Sequence, residues 1–392
     1  MDALTSPARK RRRFGVSIRT LMLLVLVCAV WGGIRVDRVK AQRRAVEAIL
    51  SAGGQVWFDD QWRDGRNVTT SNSWFPARIR RLVGDEYFRE VTFVNLNRVN
   101  HDSPLELIAS LALCGRLEAL ILANSQVSDH ELVPLAGLTQ LRSLSLCNLN
   151  VTDAGLRHLS GLSNLRLLQL RTLRISDEGL RSLAGMDQLE TLDISNNNVY
   201  GPGISVLRGK DRLETLDLSW TEVTDEGLKH LRGLKSLRVL ELTGSHVSGA
   251  GLEELAGLPG LRKLVLRVEA TDATLTALEK LTGLQELDFG TYGLTDTGLA
   301  HLAGLTKLQS LRIGCAAHIT DRGFVHFKGM HDLRVLCVED SKVTDAGLAQ
   351  LRGLAKLKSL ELPGSVGRVT SQVLVDLQTT NPELVLSTSR SR

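Results

Sequence analysis

The chain has 392 residues, 43% of them apolar, 23% charged and only 4% aromatic, with a formal net charge of +5. That apolar content excludes intrinsic disorder, and 35 glycines that neither recur every third residue nor come with proline (8 in all) exclude collagen. Leucine alone contributes 73 residues, and a leucine and glycine excess with few aromatics signals repetition.

The positive charge sits at the front of the chain. Residues 1–13 form a basic tail with Arg9, Lys10, Arg11, Arg12 and Arg13; a second basic group, Arg35, Arg38, Lys40, Arg43 and Arg44, follows an apolar run. Leu21 to Ile34 carries no charge, and extending it back to Phe14 gives residues 14–34 with only Arg19 inside. As a helix that segment reaches about 31 Å, enough for a hydrocarbon core of about 30 Å. It is expected to be a single-pass transmembrane signal anchor, with the N-terminus cytoplasmic and the remainder extracytoplasmic. A cleaved signal peptide is the rival reading, but no A-x-A site follows the run. Basic residues flanking such a segment suit a membrane surface, and no docking motif for nucleic acid accompanies them.

Val36, Val39, Val46, Ile49 and Leu50 recur at helical spacing, which predicts a juxtamembrane helix over 35–52 with Gly53 and Gly54 at its end. Residues 53–116 hold a cap and a degenerate first repeat. Trp57, Phe58, Trp62, Trp74, Phe75, Tyr87, Phe88 and Phe93 make this the most aromatic stretch of the chain. A stack of repeats exposes an apolar end that needs such a lid.

From Leu117 one pattern returns about every 24 residues through 386, in about eleven copies, ahead of a tail at 387–392. In the copy Leu213–Ser236, Leu216 and Leu218 alternate with Thr215, Asp217 and Ser219, the signature of a half-buried strand. Thr224 then suits an N-cap and Asp225 the helix dipole, while Leu228, Leu231 and Leu234 face inward and Gly233 suits a left-handed helix end. The Leu261 copy is one residue short and the Leu308 copy one long, changes expected in connecting turns. Tyr200-Gly201-Pro202 replaces Thr-Asp-x in the Leu189 copy, and Asn381-Pro382-Glu383 interrupts the pattern near the end.

LRSLSLCNLNVTDAGLRHLSGL (141–162) and LRVLCVEDSKVTDAGLAQLRGL (333–354) resemble the leucine-rich repeat family in its 24-residue TDxGL form. With its basic tail and apolar run, then AVEAILSAGGQVWFD (45–59) and WFPARIRRLVGDEYFREVTFVNL (74–96), the front end resembles that of bacterial membrane-anchored leucine-rich repeat proteins. The resemblance implies an α/β horseshoe solenoid, with parallel strands on a concave face and short helices on a convex one, and a role in protein binding.

On the expected concave face the fifth position of successive copies reads Ile121, Ser145, Gln169, Asp193, Asp217, Glu241, Val265, Asp288, Arg312, Cys337 and Glu361. Asp193, Asp217 and Glu241 would lie on adjacent strands about 4.8 Å apart, where like charges repel unless a cation is close. Trp220 lies beside them as a contact anchor. Together with Asp288, Glu339, Asp340 and Glu361 these residues are the expected binding site for a protein or peptide, with a basic segment the best fit; the bland alternative is a solvated sheet. A flat carboxylate row is no calcium cage. His158, His230, His301 and His326 recur at one helix position and read as convex-surface filler. Walker, HExxH, GxSxG and GxGxxG motifs are missing, so neither a cofactor nor catalysis is expected. The five scattered cysteines suit neither a disulfide framework nor zinc. The expected function is a non-catalytic, membrane-tethered scaffold or receptor. Two alternatives remain: a substrate-recognition subunit like F-box leucine-rich repeat proteins, though without an F-box, and an enzyme confined to residues 51–116.

Overall fold

The structure, a computed structural model, describes residues 18–59, 61–63, 66–67, 89–99, 104–267, 271–290, 293–363 and 369–387. The basic tail, the start of the expected anchor (14–17), the cap aromatics Trp74, Phe75, Tyr87 and Phe88, and residues 388–392 lie outside these.

The first element is helix α1, Ile18–Ser51. At 1.5 Å per residue its 34 residues span about 51 Å. The sequence divides this stretch into an anchor and a separate helix at 35–52; the structure joins them, because no proline interrupts the run and Gly32 and Gly33 only weaken it. Gly53, in the left-handed region at φ 83°, ends the helix, and Gly54 N–H donates to the Ile49 carbonyl. Among the described residues, no helix is long and apolar enough to cross a membrane. At its far end α1 buries Ala45 and Ile49 in the core. Gln42 clamps the first solenoid strand, donating to the Arg89 carbonyl (3.0 Å) and accepting from Val91 N–H (3.3 Å).

Each copy contributes one strand because the LxxLxL alternation gives it one apolar face. The strands are β1 (Gln55–Phe58), a two-residue pair β2 (Trp62–Arg63) and β3 (Arg66–Asn67), β4 (Val91–Asn95), β5 (Ala119–Ala123), β6 (Ser143–Cys147), β7 (Leu167–Gln169) and β8 (Thr191–Asp193), followed by β9 (Thr215–Asp217), β10 (Val239–Glu241), β11 (Lys263–Leu266), β12 (Glu286–Gly290), β13 (Ser310–Gly314), β14 (Val335–Val338), β15 (Ser359–Glu361) and β16 (Val385–Ser387). All but β2 and β3 form one sheet, in which β4 to β16 follow chain order and pair in parallel. Strand β1 lies antiparallel on β4 at this end of the sheet, and Trp57 stacks on Phe93 with ring centroids 4.5 Å apart. At the other end the interruption Asn381-Pro382-Glu383 lies in a turn, after which β16 continues the sheet with Leu386 opposite Leu360.

The register places Leu120, Leu144, Leu168, Leu192, Leu216, Leu240, Leu264, Leu287, Leu311, Leu336 and Leu360 in one row. All are at most 1% exposed, and one apolar cluster runs from Ala45 to Leu384. Each such burial stabilises the fold by roughly 1.5–3 kcal/mol relative to an exposed side chain. Several return segments are single α-turns that tighten into 3-10 turns, as in Asp177–Leu180 followed by Arg181–Leu183, while others are 3-10 throughout, as in Pro202–Leu207, or longer α-helices, as in Ser371–Thr380. Three leucines at successive threes suit that tighter winding.

The Asp of TDxGL does more than complement a helix dipole. Asp153 accepts from the N–H (2.8 Å) and hydroxyl (2.6 Å) of Ser176 in the next copy. Asp129 does the same for Thr152, Asp225 for Ser248, Asp272 for Thr295, Asp296 for Thr320, Asp321 for Thr344 and Asp345 for Thr370. The motif glycine is the space this ladder needs: a Cβ on Gly347 would fall 2.5 Å from Asp321 Oδ1. One stitch therefore explains the Thr/Ser, the Asp and the Gly of the repeat.

Candidate binding face on the strand side

The outward fifth position forms a continuous column, since Asp193 pairs in register with Asp217, Asp217 with Glu241, and Asp288 with Arg312. Strands β5 to β9, β13 and β14 are each followed by a residue with left-handed backbone: Asn124, Asn148, Thr172, Asn196, Trp220, Cys315 and Asp340. Asparagine tolerates that conformation, and its amide extends the column: Asn148 donates to Asn124 (2.8 Å) and Asn124 to Asn97 (2.9 Å). This asparagine ladder is legible as Asn at the eighth position of several copies, and sequence reasoning missed it.

Trp220 occupies the same position at φ 55°, where a bulky side chain costs about 1–2 kcal/mol. It is 62% exposed, slightly more than Tyr200 at 57%. Its ring lies against Gly244, where a Cβ would fall 2.5 Å from the ring atom Cε3.

The predicted site residues separate into two groups. Asp193, Asp217, Glu241 and Trp220 come together on β8, β9 and β10 and the turn after β9. Asp193 accepts from Ser195 N–H (2.9 Å) and hydroxyl (2.6 Å), and Asp217 from Ser219 N–H (2.8 Å). Neither forms an ion pair among the described residues, whereas Glu241 meets Lys263 at 3.0 Å. Partial burial pushes the Asp217 carboxyl above its ordinary range; hydrogen bonds from Ser219 oppose the rise, and the charges of Asp193 and Glu241 add to it.

Farther along, the acids are matched. Asp288 pairs with Arg267 at 3.3 Å, and Arg312 reaches Glu361 at 3.1 Å. That second pair spans two strands and covers Cys337 between them, so Cys337 is buried at 2% exposure instead of facing solvent, and its thiol is pushed up to about 12. Glu339 and Asp340 follow β14, four copies beyond the one that holds Trp220's neighbour Gly244; Glu339 lines one cavity with Gly244, and neither lies on the strands of the first group.

Two of the four expected convex histidines are tied into the surface. His230 Nδ1 bonds Arg208 (2.7 Å), and His301 pairs with Glu279. Among the described residues no group of three or more His, Cys, Asp or Glu side chains is arranged for a metal ion. Lys210 went unforeseen. It stands where other copies carry Leu138, Leu162, Met186 or Leu234, and its ammonium is buried, donating to the Ala184 and Met186 carbonyls (3.2 Å each). A lysine in an otherwise apolar column was the available signal.

A family model described as a leucine-rich repeat region matches residues 116–381. No curated protein matches. Among solved structures, an internalin from Listeria monocytogenes is 25% identical, with 80% of this chain and 87% of that one covered and a TM-score of 0.59. Rad7 in complex with Elc1 from yeast superposes over 95% of this chain and 98% of that one, at 16% identity and TM-score 0.54. TLR13 in complex with ssRNA13 covers 72% and 43%, at 20% identity and TM-score 0.52. At such identities these last two show a shared fold alone. With its strand-turn-helix copies in one parallel sheet and that model matching two-thirds of its length, the chain belongs to the leucine-rich repeat family.

Proposed function

We propose that the protein is a binding scaffold whose strand face captures a basic segment of a partner protein at β8–β10. The observation that carries this reading is the meeting of three half-buried carboxylates, two without a cation, with one exposed tryptophan on consecutive strands. Lysine or arginine side chains relieve the repulsion within the row, and the Trp220 ring offers them a cation–π surface. The shared repeat architecture supports a binding role, since it supplies a long continuous strand face. Replacing Asp193, Asp217 and Glu241 together by lysine is expected to abolish capture of a lysine- and arginine-rich peptide; undiminished capture would refute the proposal.

The same reading places the scaffold on a membrane, with its N-terminus cytoplasmic and the repeats outside. It draws on the uncharged run Leu21–Ile34 between two basic groups, and on the continuity of α1 from that run into the solenoid cap. Retention of the full-length chain in membranes after alkaline carbonate washing, with the repeats open to external protease, is the expected result. Release into the wash would remove the tether from the account and leave the strand-face site standing.

A further inference from the structure

We infer that the solenoid contains a built-in joint between the Leu189 and Leu213 copies, at which its turn edge opens while the strand sheet stays closed. The Asp ladder is broken there, because Gly201 stands in the Asp position and the next N-cap, Thr224, has no carboxylate to stitch to. Thr152, Ser176, Ser248, Thr295 and Thr344 each also accept a capping bond from the N–H two residues on, whereas the Thr224 side chain accepts none. A second seam is missing at the same place. His246 N–H donates to Val223, Asn198 to Ile175 and Arg174 to Val151, but no hydrogen bond joins Glu222 to Val199. What remains is Thr224 N–H on the Tyr200 carbonyl at 3.3 Å and the bare approach of Gly227 to Gly201.

The other departure from the ladder differs in how the N-cap amide is satisfied, which there happens within a single copy and without a stitch to the copy before it. Gly249 also replaces the Asp, but there the following motif glycine is Thr274, whose hydroxyl accepts from Thr271 N–H at 3.1 Å. No such exchange occurs at Gly201, which faces another glycine. On the amino side the Leu189 copy is held fast, by Asp177 accepting from Gly203 N–H (3.0 Å) and by the buried Lys210 ammonium. The Leu192–Leu216 register continues unbroken across the joint, so the sheet serves as hinge line. Opening changes the curvature between the copies that carry Asp193 and Asp217.

Amide hydrogen exchange on the full-length chain tests this. Thr224 is expected to exchange about tenfold or more faster than Ser176, Ser248 and Thr295, the ratio that one charge-assisted hydrogen bond sets. Asp225→Ala, which removes the same stitch one copy later, is expected to bring Ser248 to the rate of Thr224 and to leave Thr295 unchanged. Protection of Thr224 equal to that of Ser248 would overturn the joint, as would an Asp225→Ala chain in which Ser248 stays protected.

Discussion

The two halves of the strand face rest on one interior and differ in how their charge is settled. From β11 onward each fifth-position charge has met an opposite one, Asp288 with Arg267 and Arg312 with Glu361. On β8 and β9 the carboxylates of Asp193 and Asp217 have only serine donors. Leu216 and Leu336 beneath these halves are both fully buried. Folding thus demands nothing of the acidic row, and repulsion within it costs stability. A face that keeps such a cost beside an exposed, strained tryptophan is poised for a ligand; a face that has neutralised itself is finished as structure.

The largest expected effect tests the shared interior. Leu216→Ala and Leu336→Ala should each destabilise the chain by about 2–5 kcal/mol in urea unfolding. A cost confined to one of them would show that the halves do not share a core. Next comes the stitch between copies. Asp272→Ala leaves Thr295 without its carboxylate and should cost about 1.5–3 kcal/mol, the range for hydrogen bonds to charged groups.

Acid should act on the ladder and on the row in opposite senses. Burial raises Asp272, but hydrogen bonds from Thr295 and Thr297 outweigh it and hold the carboxyl below its ordinary range; the Thr370 hydroxyl and N–H lower Asp345. Their contribution is present above the unfolded carboxylate range and is lost as pH falls through the depressed folded values. Asp217 is raised, so protonating it favours the folded chain and is favoured by it. Asp217→Asn should therefore flatten the acid side of the peptide-binding profile, because a cationic peptide binds the ionised row and loses affinity as pH falls through the raised Asp217 value. Binding whose pH profile is the same in both chains would separate Asp217 from the site.

The smallest effect compares the halves directly. Asp193→Asn should stabilise by about 0.2–1 kcal/mol through relief of like charge, whereas Glu361→Gln should destabilise by a similar amount by depriving Arg312 of its partner. Equal signs in thermal unfolding would erase the distinction.

Much of this fold was legible because its repeat is short. Period, strand leucines and turn glycines are local signals repeated often enough to be read without the structure. The ladder was not, since Asp225 suits a helix N-terminus on its own and its partner Ser248 is a copy away. Nor was the sorting of the acids: Asp193 and Glu361 look alike in the column, and only the reach of Arg312 across Cys337 tells them apart. Lys210 and Gly201, both in the Leu189 copy, show where departures from a repeat carry information that the consensus hides.

Photo-cross-linking of a lysine- and arginine-rich peptide to the full-length chain, with the sites read by mass spectrometry, tests the central claim most directly. Adducts are expected between Asp193 and Gly244, with Trp220 among them. Adducts concentrated on the return helices, or spread evenly along the strand face into the Arg267–Glu361 half, would contradict the account.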